Sequence, residues 1–385
     1  MLELAIKGSK KYYAWVAFLL VVIGIGFLVY LKQLSFGLGI TGLSRDVSWG
    51  FYIANFTFLV GVAAGGVMVV LPYYLHDYKA FGRITILGEF LAIAALVMCI
   101  TFVVVDLGQP MRVFNTLLYP SPGSILFWDI VVLQGYLFLN LVIGWNVLEA
   151  ERNGTHYQAW VTPLIYLSIP WAVSIHTVTA FLYAGLPGRG FWMTAIMAPR
   201  FLSSAFAAGP ALLILLSLFI RRVSNFDPGR EQIQSLAKIV AYAICINVFF
   251  FLCEVFTAFY SNIPEHMDHI KYLFAGLQGK DSLVPWMWTS YSLMIISIIL
   301  LVNPITRKHE GVLAVACVTV FVGTWIDKGL GMISGGFVPN PMHHVTEYAP
   351  TIPEILITLG VYGLGALVLT ILYKMSVAVK EEVAV

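Results

Sequence analysis

Ten stretches of this 385-residue sequence are apolar for roughly twenty residues or more. They lie at about 13–34, 48–74, 86–105, 124–148, 160–185, 201–220, 236–261, 283–302, 311–332 and 353–375. One run of that length crosses the hydrocarbon of a bilayer as a helix, at about 1.5 Å per residue. No ten-residue alternation of apolar and polar positions marks a barrel strand. Backbone in lipid must close its hydrogen bonds internally, so the runs read as helices. Charged residues are only 11% of the chain and hydrophobic ones 59%, with a mean hydropathy of +0.86. A soluble domain carries about 25% charged residues. A soluble enzyme, a disordered regulator and a secreted disulfide scaffold are thereby excluded. The expected fold is an all-α integral membrane protein, a single polytopic domain over 1–385 with ten transmembrane helices. The first run follows Lys7, Lys10 and Lys11. It lacks a small-residue cleavage site and is too long for a signal-peptide core, so it reads as a retained helix.

Ten spans put both termini on one side. Fourteen Lys and Arg fall on that side and eight on the other. The positive-inside rule then places both termini in the cytoplasm, in a multi-pass protein of the cytoplasmic (inner) membrane. The connections 35–47, 106–123, 186–200, 262–282 and 333–352 face outward. They are long and rich in Gly, Pro and aromatics. On the side of the termini only 221–235 is comparable. Loops of that composition suit a docking surface for an outer partner, with plain helix linkers as the alternative. The net charge of +2 gives no reason to expect nucleic acid; the surrounding medium is membrane lipid.

A charge near the bilayer centre costs about 2.5–3.5 kcal/mol on insertion scales, so ionisable residues inside spans are candidates for function. The set is Glu89, Asp129, His176, Glu254, Asp327 and Lys328. All but Glu89 fall in the outer half. Asp129, His176 and Glu254 lie roughly 8, 14 and 10 Å below the outer ends of their helices. Trp49 and Asn55 belong to the same zone. Asp327 and Lys328 are adjacent and point about 100° apart, which suits structural ion pairing as well as function. Glu254 could bond a neighbouring helix, and Glu89 could reach the interface. His176 follows Pro170, whose ring frees a carbonyl and kinks a helix. Asp129 sits beside Trp128 in SILFWDIVV.

A haem pair needs histidines facing each other, and only His176 is well inside a span, which argues against a haem of its own. The four cysteines form no CxxC or CxxCH, so the sequence offers no iron–sulfur, zinc or c-type haem attachment. A lipid-soluble quinone fits better. Its carbonyls need an acid or imidazole, and the rest of its pocket must be apolar and aromatic. A proton relay through Glu89, Glu254, Asp327 and Lys328 is a second reading. A membrane anchor or a solute transporter is the competing class. GVAAGG at 61–66 could break a helix for transport, but close packing by small residues is the favoured account.

Three segments carry a family resemblance: SRDVSWGFYIANFTFLVGVAAGG at 44–66, DLGQPMRVFNTLLYPSPGSILFWD at 106–129, and SIHTVTAFLYAGLPGRGFWMTAIMAPRFLSSAFAAGPAL at 174–212. They resemble the NrfD / polysulfide-reductase membrane subunits, and within these the P subunits of membrane complexes associated with dissimilatory sulfite reduction. The resemblance implies two four-helix bundles, about 48–185 and 201–332, plus two peripheral helices. It implies a subunit with no redox centre that exchanges electrons between menaquinone and an extracytoplasmic iron–sulfur protein. Further implied partners are a multihaem cytochrome c, a haem b membrane subunit and a cytoplasmic iron–sulfur subunit. Asp129 matches the family's acidic position near the quinone, and His176 a histidine of the site or its proton route. The sequence departs from the family at Ala64, where many quinone-active members have a histidine. Trp49, Asn55, Arg112 and Trp128 are the other residues expected to border the headgroup.

Overall fold

The computed structural model describes residues 2–76, 78 and 81–384. Lys79, one of the fourteen cations on the side of the termini, lies outside the described residues. All ten expected helices are present: α1 (Lys10–Ile40), α2 (Phe51–Leu75), α3 (Gly82–Asp106), α4 (Ile125–Arg152), α5 (Val161–Ala184), α6 (Met197–Val223), α7 (Arg230–Tyr260), α8 (Val284–Val302), α9 (Glu310–Ser334) and α10 (Ile352–Glu382). Among the described residues the only β pairing is an isolated bridge between Leu277 and Lys280. The chain is an all-α membrane protein.

Four helices, α1 among them at Lys10 rather than 13, begin three or more residues earlier than the apolar runs, and each extension takes in charge. α3 starts at Gly82 rather than 86, α6 at Met197 rather than 201, and α7 at Arg230 rather than 236. Hydropathy stops at the first cation, but a helix continues wherever that cation reaches water or a counter-charge. Arg83 is exposed. Arg200, in the first turn of α6, is buried.

The centre of the molecule is α2, whose most apolar window is 94% buried, against 11% for α1. α2 packs on α3, α5 and α6 and on the Ile326–Ser334 part of α9, at the end of the molecule away from the two termini, here called outer. α3 and α4, and α4 and α5, pack in turn beside it; α6, α7, α8 and α9 pack around one another. α1 lies along α10, which rests on α3 and α4. Glycines set the two closest approaches. A Cβ on Gly65 of α2 would lie 2.7 Å from the Cα of Gly209 in α6, and one on Gly26 of α1 would lie 2.7 Å from the Cα of Gly360 in α10. The glycine-rich stretch of α2 therefore serves close backbone packing, as the small-residue account expects.

Two features position the outer ends. Glu354 is fully buried at the start of α10 and accepts from the Gly42 N–H at 2.7 Å, the Thr351 N–H at 2.8 Å and the Tyr348 hydroxyl at 2.7 Å. The Tyr348 hydroxyl in turn accepts from the Phe51 N–H at 2.7 Å, which anchors the first residue of α2. The outer part of α9, Ile326–Ser334, is wound as a wide π-helix. Such widening is uncommon and tends to accompany functional sites.

Candidate functional site

Two polar contacts meet where α2, α4, α5, α6 and α9 pack below the outer face. The first joins α4 to α5. Asp129, in the second turn of α4, lies with Oδ1 2.6 Å from Thr179 Oγ1. Thr179 Oγ1 is also 2.8 Å from the Ile175 carbonyl. One hydroxyl proton cannot serve both acceptors at once. Thr179 donates to Asp129 when that carboxyl is ionised; with a proton on Asp129 the carboxyl can donate to Thr179 and Thr179 to Ile175.

The second contact lies one turn inward on α5. His176 is fully buried. Its Nε2 is 2.7 Å from the Phe201 carbonyl of α6 and in direct contact with Lys328 Nζ of α9. Lys328 Nζ is 3.4 Å from the same carbonyl and 4.4 Å from the Phe201 ring centroid. These contacts assign opposite roles to Nε2. It can donate to Phe201, with an uncharged amine beside it, or accept from Lys328, with the ring proton on Nδ1. Nδ1 is buried with no partner of its own. The pair thus holds one proton in alternative places. Gly61 of α2 makes room for it, since a Cβ there would lie 3.0 Å from Lys328 Nζ and 3.4 Å from His176 Cε1.

An aromatic cluster closes the outer end. The Trp49 ring packs on Tyr183, Trp192 and Phe337 with centroids 5.6, 6.2 and 5.8 Å away. The Tyr183 hydroxyl bonds Thr57 of α2, and Trp192 Nε1 donates to the Met332 carbonyl at 2.8 Å. The cluster is a packed aromatic layer in which the Tyr183 and Trp192 polar tips are satisfied.

The remaining expected residues are distributed differently. Asn55 is fully buried, but its Oδ1 accepts from Trp325 Nε1 at 2.9 Å and from the Tyr362 hydroxyl at 2.7 Å, and its amide donates to the Phe51 carbonyl. It therefore faces α9 and α10, about 200° around α2 from Thr57. Trp128 is 46% exposed and donates to the Pro122 carbonyl at 2.8 Å. Arg112 is exposed in the short turn Pro110–Phe114 of the outer connection. Ala64 is fully enclosed. Glu89 is buried near the opposite end of the membrane domain, within α3.

Glu254 and Asp327 belong to a separate network organised by Arg200. Its guanidinium pairs with Glu254 through Nη1 and with Asp327 through Nη2, at 2.8 and 3.0 Å to the two Asp327 oxygens. The Tyr291 hydroxyl adds a donor to Asp327 at 3.0 Å. Asp327 therefore points to α6 and α8, and its neighbour Lys328 to α5 and α6. Arg200 is the cation paired with both carboxylates, Glu254 and Asp327, within this buried region. Arg200 and Thr179 escape a sequence reading. The first looks like an outer-loop cation and the second like an ordinary helix threonine. Their one signal is helical spacing: Thr179 follows His176 by three, and Arg200 opens the apolar face of α6.

Among the described residues no group of three or more His, Cys, Asp or Glu is placed to hold a metal ion. The profile of the family described as polysulphide reductase, NrfD, matches residues 39–338. A putative membrane subunit of the dimethyl sulfoxide reductase of Halobacterium salinarum is 27% identical over 91% of this chain and 87% of its own. A selenate reductase subunit from Mesobacillus selenatarsenatis is 25% identical over 94% and 93%. The Hdr-like menaquinol oxidoreductase integral membrane subunit of Archaeoglobus fulgidus is 24% identical over 97% and 95%. The matched profile takes in most of the membrane domain, from the outer end of α1 to the end of the π-wound segment of α9, and the chain belongs to the NrfD polysulphide reductase family of membrane subunits.

Proposed function

We propose that this chain is the quinone-reactive membrane subunit of a respiratory oxidoreductase complex, working on menaquinone or menaquinol near the outer face. One observation carries the reading: two proton-holding contacts, Asp129–Thr179 and His176–Lys328, lie a turn apart beneath an aromatic cluster. The residues fit a quinone headgroup. His176 Nδ1 is a buried polar atom left without a partner, and Asp129 completes its hydrogen bonds when protonated. A quinone, when bound, supplies two-electron, two-proton chemistry at its carbonyl oxygens. The chain supplies orientation through its aromatics, exclusion of water, and a proton held or released at Asp129 and at His176 Nε2 or Nδ1.

The names of relatives support the reading. One is described as a subunit of a menaquinol oxidoreductase, one as a putative membrane subunit of a dimethyl sulfoxide reductase and one as a subunit of a selenate reductase. Electrons would leave or arrive through an iron–sulfur protein docked on the five long outer connections. The complex further includes a multihaem cytochrome c, a haem b membrane protein and a cytoplasmic iron–sulfur protein, and it serves a sulfur- or sulfite-linked branch of metabolism. The termini then face the cytoplasm, α2–α5 and α6–α9 act as two four-helix bundles, and α1 with α10 is peripheral.

The decisive experiment replaces Asp129 by Asn in the assembled complex. Menaquinol-dependent electron transfer should fall by about 10²-fold or more, the range for loss of a general acid–base group, while the complex still assembles. Unaltered turnover in an assembled variant would reduce the chain to a membrane anchor.

A further inference from the structure

The termini-side ends of α2, α3 and α4, with the connection after α4, line an open cavity of about 280 Å³. Its walls include Tyr73, Tyr74, Thr85, Glu151 and Tyr157, and Glu89 lies at its inner wall. That volume admits several waters. Glu89 is 3% exposed, and its Oε2 is buried with no hydrogen-bond partner. Among the described residues the other titratable groups do not answer it. The Glu151 carboxylate is paired with Lys380 at 2.7 Å. Arg152 lies 3.6 Å from Glu3 and 3.4 Å from Glu382. His156, on the rim, is exposed. Tyr73, Tyr74, Tyr136 and Tyr157 bring hydroxyls and no cation. A carboxylate sealed from counter-charge is costly, so a group in this position gains and loses a proton with the water at its door.

A stripe along α4 starts at this point. A Cβ on Gly144 would lie 3.6 Å from Glu89 Oε2, which places the carboxyl against α4 at that level. Outward from Gly144 come Asn140 and Tyr136, four residues apart, and then Asp129, seven further on. Spacings of four and seven keep all of them on one face of the helix. Asn140, Tyr136 and Asp129 are each buried. α4 runs from the outer face inward, and helical side chains lean toward the N-terminus of their helix. The Tyr136 phenol nevertheless meets the Asn140 side chain, so Tyr136 and Asn140 form a polar pair on the Glu89 side of the stripe. Val132 and Leu133 supply the one apolar turn on the stripe. Glu254 and Asp327 are held by Arg200 on the far side of α6, so a relay through all three acids does not match the geometry.

We propose that this cavity is a proton port, with Glu89 the group that exchanges a proton with it and α4 the route to the outer site. The carboxylate takes a proton from cavity water, becomes a neutral carboxyl and returns to carboxylate as the proton moves outward. One proton enters for each that leaves, and the apolar turn at Val132 and Leu133 is the gate. Protons drawn from the side of the termini by a reaction near the opposite face make that reaction charge-separating. The destination rests on the quinone reading above; the port itself does not.

The test uses the assembled complex in sealed vesicles of known orientation. A charged, membrane-impermeant carbodiimide is offered on one side at a time, and modified carboxyls are located by peptide mass. Glu89 should be modified from the side of the termini and not from the other. No modification at Glu89, or modification from the outer side alone, overturns the port. In the same vesicles a pH dye follows proton uptake during quinol or quinone turnover. Glu89→Gln and Tyr136→Phe should each slow uptake from the side of the termini by at least about tenfold, with Glu89→Asp recovering part of it. Undiminished uptake in both assembled variants overturns the route along α4. Absence of quinone turnover in the unmodified complex would sink the quinone reading while leaving the one-sided modification of Glu89 to stand by itself.

Discussion

Thr179 Oγ1 lies 2.6 Å from Asp129 Oδ1, one helical turn from His176 on the same face of α5. This hydroxyl fixes the orientation of the carboxyl that the resemblance singles out, and its other hydrogen bond stays within α5, to the Ile175 carbonyl. Thr179→Val removes the hydroxyl at nearly constant volume. Quinone-dependent turnover should fall by about tenfold, the cost of one hydrogen bond to a charged or proton-sharing group of roughly 1.4 kcal/mol. Thr179→Ser should retain most of it. A pH–rate profile displaced in the valine variant and restored in the serine variant identifies positioning rather than bulk packing.

Arg200 makes the opposite kind of prediction. It is the one guanidinium between Glu254 and Asp327, so Arg200→Met leaves two buried carboxylates uncompensated. Breaking a buried pair in this way costs about 3–5 kcal/mol. Thermal unfolding in detergent should show a large loss or no folded protein. The triple variant Arg200→Met, Glu254→Gln, Asp327→Asn should recover much of the stability, because the uncompensated charge goes with the cation. A triple variant no better than the single one would show that shape, not charge, holds the three helices.

The α2–α6 contact tests packing. Gly65→Ala sets a methyl 2.7 Å from the Gly209 Cα, which is backbone and cannot step aside as a side chain would. Overpacking of this kind costs about 1–3 kcal/mol. Gly24→Ala is the control, since a Cβ there meets nothing within 4 Å. The first variant should unfold at a lower temperature than the second in the same detergent.

His269 predicts a pH effect outside the membrane spans. It sits on the short outer helix Pro264–Phe274, buried, 3.2 Å from the Gly335 carbonyl through Nδ1. Burial pushes its pKa from the ordinary 6.5 down to about 4. Between those values the unfolded chain binds a proton that the folded chain refuses. The associated stability is therefore complete above about pH 6.5 and is lost as pH falls toward about 4, by up to about 3 kcal/mol. Thermal stability measured from pH 7 to pH 4 should decline through that window, and His269→Gln should flatten this part of the decline. An identical slope in the glutamine variant assigns the acid sensitivity to other groups.

The helices were readable in the sequence because lipid imposes one rule on every residue of a span, and ten apolar runs satisfy it. Depth followed from the same rule, so the outer grouping of Asp129 and His176 was visible. Direction was not. Asn55 and Thr57 are two residues apart on α2 and equally buried, yet one serves Trp325 and Tyr362 and the other Tyr183. Hydropathy has no term for the side of a helix that faces a particular neighbour when every side is apolar. Arg200 was hidden for a related reason. A charge at the edge of an apolar run looks like the start of a loop until its counter-charges, 54 and 127 residues further along the chain, are seen beside it.

The wide coil over Ile326–Ser334 carries a consequence for chain length. Deleting a single residue there would let the segment tighten into an ordinary α-helix whose two ends stay nearly in register, while side chains within the segment move around the axis by up to about 100°. The lysine ammonium and the neighbouring carboxylate would then lose their separate partners together, although neither had been mutated. Insertions and deletions in this stretch should be far less tolerated than substitutions, so its size is as much a part of the chemistry as its side chains.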